Sequence, residues 1–143
     1  MARYLVVAHQ TAESPELRQA MTDLVASDPD ADFVLLVPAT PPASLLVWDE
    51  GEARDIAARR AASVRVTLEA AGFKVADARI GDPNPLDAIR DQLREYRHYA
   101  AIVVSTLPRG VSTWLRMDLI SRLRRVAPGY RVVHVESHVK APA

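Results

Sequence analysis

The sequence predicts an α/β protein built on a doubly wound, five-stranded parallel sheet with helices on both faces. Three observations lead there. Short, continuous apolar runs recur along the chain, the pattern of strands buried on both faces. Amphipathic segments of helical period separate them in strict alternation. Prolines, glycines and capping residues mark the switches from one period to the other. Right-handed crossovers then restrict the topology to a doubly wound sheet.

Each element has a local reason. Tyr4-Leu5-Val6-Val7-Ala8 is the first strand. Ser14 is a good N-cap and Pro15 suits the first helical position, so a helix opens there with Leu17, Met21, Leu24 and Val25 on one face. Asp28-Pro29-Asp30 stops it, and Phe33-Val34-Leu35-Leu36-Val37 is the second strand. Pro38-Ala39-Thr40-Pro41-Pro42 follows as loop. A long helix from about Asp49 to Ala71 carries Ile56, Val64, Leu68 and Ala71 as its apolar stripe, with Gly72 as its C-terminal cap. A third strand lies between Phe73 and Ile80. In Gly81-Asp82-Pro83-Asn84-Pro85 the glycine permits a positive φ, Asp82 accepts backbone N–H bonds, and Asn84-Pro85 starts a helix with Leu86, Ile89, Leu93 and Tyr96 inward. Ala100 to Val104 is the fourth strand. One helical face then carries Leu115, Leu119, Leu123 and Val126, Pro128-Gly129 breaks the chain, and Arg131 to Val135 is the fifth strand. Residues from Glu136 on read as a frayed end, which makes residues 1–136 one domain and 137–143 a flexible tail.

Composition narrows the function. The 143 residues suit one domain and bury enough surface to fold without a staple. The absence of cysteine excludes disulfides, thiol catalysis, iron–sulfur clusters and cysteine zinc sites. Eighteen basic residues balance eighteen acidic ones, which argues against a generally basic nucleic-acid or membrane-surface binder. The opening apolar run is too short to cross a bilayer and lacks a cleavage site, so a cytoplasmic location is expected. The four histidines, at 9, 98, 134 and 138, have no metal-ligand spacing, so no metal is expected. A Walker loop, a G-x-G-x-x-G and a nucleophile elbow are all missing.

In doubly wound sheets ligands bind beyond the carboxyl ends of the strands, at the switch point. Three segments converge there: His9-Gln10-Thr11 after the first strand, Val37 to Pro42 after the second, and Ser105 to Thr113 after the fourth. The last is rich in hydroxyls and leads into a helix start. There Arg109 offers a phosphate contact, while Ser112 or Thr113 serves either as ligand contact or as cap. His9 has a base's pKa range at the first strand's end, with no acidic residue beside it. The candidate ligand-binding set is Ala8, His9, Gln10, Thr11, Val37, Pro38, Ser105, Thr106, Arg109, Gly110, Ser112 and Thr113. Trp48 and Trp114 border helices near this edge, as pocket wall or as core. The arginines at 116, 122, 124 and 125 read as a solvated helix face.

The order of elements and several local motifs resemble the universal stress protein family. The resemblance runs from Arg3 to about Glu136. It rests on Tyr4 to Ala8, on Val37-Pro38 with its long following helix, on Ile80-Gly81-Asp82-Pro83 followed by Ala88-Ile89, and on Ile102-Val103-Val104 with a hydroxyl and glycine segment behind. It implies an open sheet of strand order 3-2-1-4-5. It implies dimers through the fifth strand, here Val132, Val133 and Val135. In one branch of the family it also implies ATP or a related nucleotide as ligand. That branch carries an aspartate where this chain has His9 or Gln10. Its glycine pattern falls here on Ser105, Pro108, Asp118 and Leu119. Asp118 would set a negative charge near the phosphates. The expected function is therefore small-ligand binding, in the adenine nucleotide class, with a stress-response role. The alternatives are a dimeric interaction module of the branch that does not bind ATP, and a hydrolase using His9 as base. No partnered nucleophile supports the last, so catalysis is not expected.

Overall fold

The computed structural model describes residues 2–41 and 49–138. In chain order the elements are β1 (Arg3–Val7), α1 (Pro15–Ser27), β2 (Asp32–Pro38), α2 (Glu50–Ala70), β3 (Lys74–Gly81), α3 (Pro85–Glu95), β4 (Ala101–Thr106), α4 (Thr113–Arg116), α5 (Leu119–Val126) and β5 (Arg131–Glu136). The strands form one five-stranded sheet in the order β3-β2-β1-β4-β5, and every pairing is parallel. The expected fold class and strand order are those observed.

The register explains the two cores. Leu5 lies opposite Val34 and Ile102, and Val6 opposite Leu35 and Val103. Side chains alternate across a strand, so neighbouring residues enter different layers. Tyr4, Val6, Phe33, Leu35 and Val103 pack under α1 and α2 with Leu17, Met21, Ala57, Val64 and Leu68. Leu5, Val7, Val34, Leu36, Ile102 and Val104 pack under α3 to α5 with Ile89, Trp114, Leu119 and Leu123.

Local chemistry sets most helix ends as the sequence suggests. Ser14 Oγ accepts from the Leu17 amide at 3.0 Å. Asn84 Oδ1 accepts from the amides of Leu86 at 3.0 Å and Asp87 at 3.4 Å. Asp82 accepts from the Asn84 amide at 2.9 Å. Gly72 takes φ +97° just beyond α2, a backbone that side chains rarely adopt.

Five details differ from the sequence reading. The buried stripe of α2 is Ala53, Ala57, Ala61, Val64 and Leu68, while Ile56 is half-buried and Ala71 exposed. Small residues let this helix lie close on the sheet, a role that a hydropathy pattern underweights. The single helix expected after β4 is two, because Asp118 takes φ 56° and ψ 39° and breaks it. Aspartate is one of the few residues that enters this region readily, and no proline or glycine announces the break. Leu119, Ile120 and Leu123 are the buried residues of the second helix, and Val126 is 47% exposed. Gly81 is not in a positive-φ conformation; it is needed for close approach, since a Cβ there would meet Ala88 Cβ at 2.6 Å. Finally, the chain is held beyond the expected end. Glu136 pairs with Thr106 in β5, and Ser137 is fully buried. Val139–Ala143 lie outside the described residues.

Candidate ligand-binding site

A cavity of about 50 Å³ opens at the carboxyl ends of β1 and β4. These two strands are adjacent at the point where strand order reverses, so the connections on either side leave toward opposite faces. Its walls are His9, Gln10 and Thr11 after β1, Thr40 and Pro41 after β2, Ser105, Thr106 and Leu107 at the end of β4, and Ser112, Thr113 and Trp114 at the start of α4. None of these side chains carries a full charge at neutral pH.

The structure brings seven of the twelve candidate residues to this cavity: His9, Gln10, Thr11, Ser105, Thr106, Ser112 and Thr113. Ser105 and Thr106 belong to β4 itself rather than to a loop behind it. Ala8, Val37 and Pro38 are buried at strand ends and do not line it. Arg109 and Gly110 do not line it either. The Val111 and Ser112 amides both donate to Pro108 O at 3.0 Å. This tight turn, with Gly110 at φ +93°, leaves Arg109 exposed. Arg109 nonetheless stays close enough to act electrostatically on His134, which is hydrogen-bonded to the lining residue Thr106. Ser112 is the helix cap, its hydroxyl accepting from the Leu115 amide at 3.1 Å, and it also lines the cavity.

Four lining residues were outside the candidate set: Thr40, Pro41, Leu107 and Trp114. Trp114 is 7% exposed and serves as both wall and core. Its Nε1 donates to Thr40 Oγ1 at 3.2 Å, and Thr40 Oγ1 donates to Pro83 O at 2.6 Å. This chain ties α4 to the loop after β2 and to the turn before α3. A tryptophan two residues past a capping serine was the available signal. Trp48 and Pro42 lie outside the described residues.

The polar floor is unusual. Thr11 Oγ1 and Ser105 Oγ are 2.6 Å apart, Ser105 Oγ and Ser137 Oγ 3.0 Å, and Ser14 Oγ donates to Ser137 Oγ at 2.8 Å. The four hydroxyls are all buried. Beside them His9 is 5% exposed, and neither of its ring nitrogens has a hydrogen-bond partner among the described residues. Burial pushes its pKa down to about 4, and the positive charge of Arg60 adds to the effect. Arg60 donates to the His9 carbonyl at 3.3 Å. The imidazole is therefore neutral at pH 7, with one nitrogen a donor and the other an acceptor. His134 is also shifted down, chiefly by burial, and its Nε2 lies 2.8 Å from Thr106 Oγ1.

No group of three or more His, Asp or Glu side chains that could hold a metal occurs among the described residues. No helix among them is long and apolar enough to cross a membrane.

Solved structures provide the comparison. A universal stress protein from Archaeoglobus fulgidus superposes with a TM-score of 0.62 over 95% of this chain and 94% of its own, at 14% identity. A member of the universal stress protein family from Burkholderia pseudomallei gives 0.61 over 95% and 96%, at 17% identity. A universal stress protein family protein from Arabidopsis thaliana with AMP bound gives 0.58 over 100% and 97%, at 17% identity. The fold is that of the universal stress proteins. No family model matches the sequence, and no curated protein matches it. The universal stress protein fold accounts for the order of the strands.

Proposed function

We propose that this chain is a universal-stress-like protein that binds a small ligand of the adenine nucleotide class beyond the carboxyl ends of β1, β2 and β4, in a regulatory stress-response role. One observation carries the reading. The cavity lies at the switch point and is lined by hydroxyls, a neutral imidazole and an indole, with no full charge. That lining suits a base or ribose and not a triphosphate. The AMP bound to the Arabidopsis neighbour of the same fold supports the ligand class.

The cavity's size bears on how the ligand enters. About 50 Å³ holds a few waters or the edge of a ring, well below the roughly 300–1,000 Å³ of an ordinary ligand cleft. In this reading the base edge fills the floor after Trp114 releases Thr40, and a phosphate, where present, lies outside toward Arg109. Thermal unfolding with millimolar ATP, ADP, AMP and cyclic AMP, with and without magnesium, tests the proposal. At about a hundred times its dissociation constant a ligand adds roughly 2.7 kcal/mol and raises the midpoint by several degrees. AMP is expected to shift the midpoint at least as far as ATP, without magnesium. A flat response to all four ends the proposal.

A second reading rests on a separate observation. The edge strand β5 pairs only with β4, and Val132, Val133 and Val135 are half-buried there. An apolar edge invites cover by a second copy. This reading makes the chain a dimeric interaction module. Light scattering at high concentration tests it, and a monomer refutes it.

A further inference from the structure

Among the described residues His9 is the one buried side chain with two polar atoms and no hydrogen-bond partner for either. A side chain 5% exposed with two unpartnered ring nitrogens forfeits hydrogen bonds that water would have made. Elsewhere among the described residues the only buried side-chain nitrogen or oxygen without a partner is Glu16 Oε2, and its sister oxygen accepts from the His138 amide at 3.4 Å. His9 lines the cavity, which gives a partner from outside a way to approach it.

The neighbouring hydroxyls add a second, directional element. Ser14 Oγ accepts from the Leu17 amide, and its own proton goes to Ser137. Ser137 carries one proton, and its remaining partner is Ser105. Ser105 in turn has Thr11 as its remaining partner. Four hydroxyls carry four protons and share three bonds. When every bond runs the same way as the one from Ser14, the unused proton sits on Thr11, which lines the cavity within the same tight turn as His9.

We propose that His9 and Thr11 together read one uncharged, planar ligand edge that carries a hydrogen-bond donor beside an acceptor, as the 6-amino group and N1 of adenine do. Thr11 gives its spare proton to the ligand's acceptor, and the acceptor nitrogen of His9 takes the ligand's donor. A carboxylate or phosphate matches this floor less well: it offers acceptors only and leaves the acceptor nitrogen of His9 unpaired, and the nearby cation, Arg60, is engaged with the His9 carbonyl. The inference rests on the proposed nucleotide pocket and adds which atoms select the ligand.

Calorimetric titration of the full chain with adenosine, purine riboside and inorganic phosphate is the test. Purine riboside keeps the ring acceptor and lacks the 6-amino donor. Adenosine is expected to bind about tenfold more tightly than purine riboside, since a buried acceptor is left unmatched by the latter. His9→Leu is expected to abolish that tenfold preference, and His9→Gln to keep most of it. If His9→Leu fails to fold, the two ribosides on the unaltered protein decide alone. Equal affinity for both ribosides overturns the inference and leaves the nucleotide pocket standing. So does competition of phosphate with adenosine, or an unchanged preference in His9→Leu. Failure of adenosine, purine riboside and AMP alike to bind overturns the inference and the proposed function together.

Discussion

The two ends of the sheet treat polar groups in opposite ways. At the amino ends, Arg3 Nε and one terminal nitrogen each donate to Asp32 at 2.8 Å, and the guanidinium lies 5.1 Å from the centre of the Tyr96 ring. Tyr96 packs edge-on against Tyr99, whose hydroxyl accepts from Gln92 at 3.0 Å. The Ala2 amide donates to Asp28 at 2.7 Å. Each of these groups has its partner within the chain. At the carboxyl ends the same strands present an orphaned imidazole, a chain of hydroxyls and a small cavity. The difference separates an end whose polar groups are paired within the chain from an end where an imidazole is left without a partner among the described residues, the end at which the proposed ligand binds.

The largest expected effect that sharpens this contrast is in the pH dependence of stability. The folded pKa of His9 lies near 4 against 6.5 when unfolded. The unfolded chain therefore takes up the proton first as pH falls. Stability contributed by the neutral ring is complete above about pH 6.5 and is lost progressively down to about pH 4. The loss is on the order of 2–3 kcal/mol, and His134, also shifted down, acts in the same direction. Denaturant unfolding of the protein and of His9→Gln between pH 7 and pH 4 measures it. The variant is expected to show a flatter curve, and identical slopes would remove His9 from the account.

Next in size is the amino end. Arg3→Ala is expected to cost about 1–2 kcal/mol, discounted for the partial exposure of the pair, while adenosine affinity stays within twofold. Chemical denaturation with parallel titration checks both halves. A loss of ligand affinity would mean that the two ends are coupled and that the contrast is false.

Ser137→Ala tests the other end from within. It removes two hydroxyl contacts and is expected to cost about 1 kcal/mol. It also removes the donor to Ser105 and lets Ser105 accept the Thr11 proton instead, so adenosine affinity is expected to fall severalfold although Ser137 does not line the cavity. Unchanged affinity would show that the direction of the hydroxyl chain has no bearing on binding.

The smallest effect concerns Arg109. Exposed and outside the cavity, it is expected to contribute about threefold to AMP affinity at low salt and nothing to adenosine. Titrating Arg109→Ala with both ligands distinguishes a phosphate contact from a solvated side chain.

The caps show how far local sequence carries. Ser14-Pro15 and Asn84-Pro85 each act through atoms within three residues, so their roles can be read from the chain alone. The strands are equally legible, because burial on both faces leaves a continuous apolar run. The break at Asp118 was not legible, since the apolar spacing continues through it and only the backbone angle reveals it. Nor was the alanine stripe of α2, where close packing outweighs hydropathy.

By itself the sequence determined the alternation of elements, the parallel sheet and the strand ends at which the cavity opens. These follow from side-chain period and from capping chemistry, both of which act over a few residues. The tertiary structure decided which side chains meet at that place. Thr11 and Ser105 are 94 positions apart and Thr40 and Trp114 are 74 apart, yet each pair shares a hydrogen bond. Whether His9 finds a partner or is left without one depends on burial by segments far from it in the chain, and no local pattern encodes that.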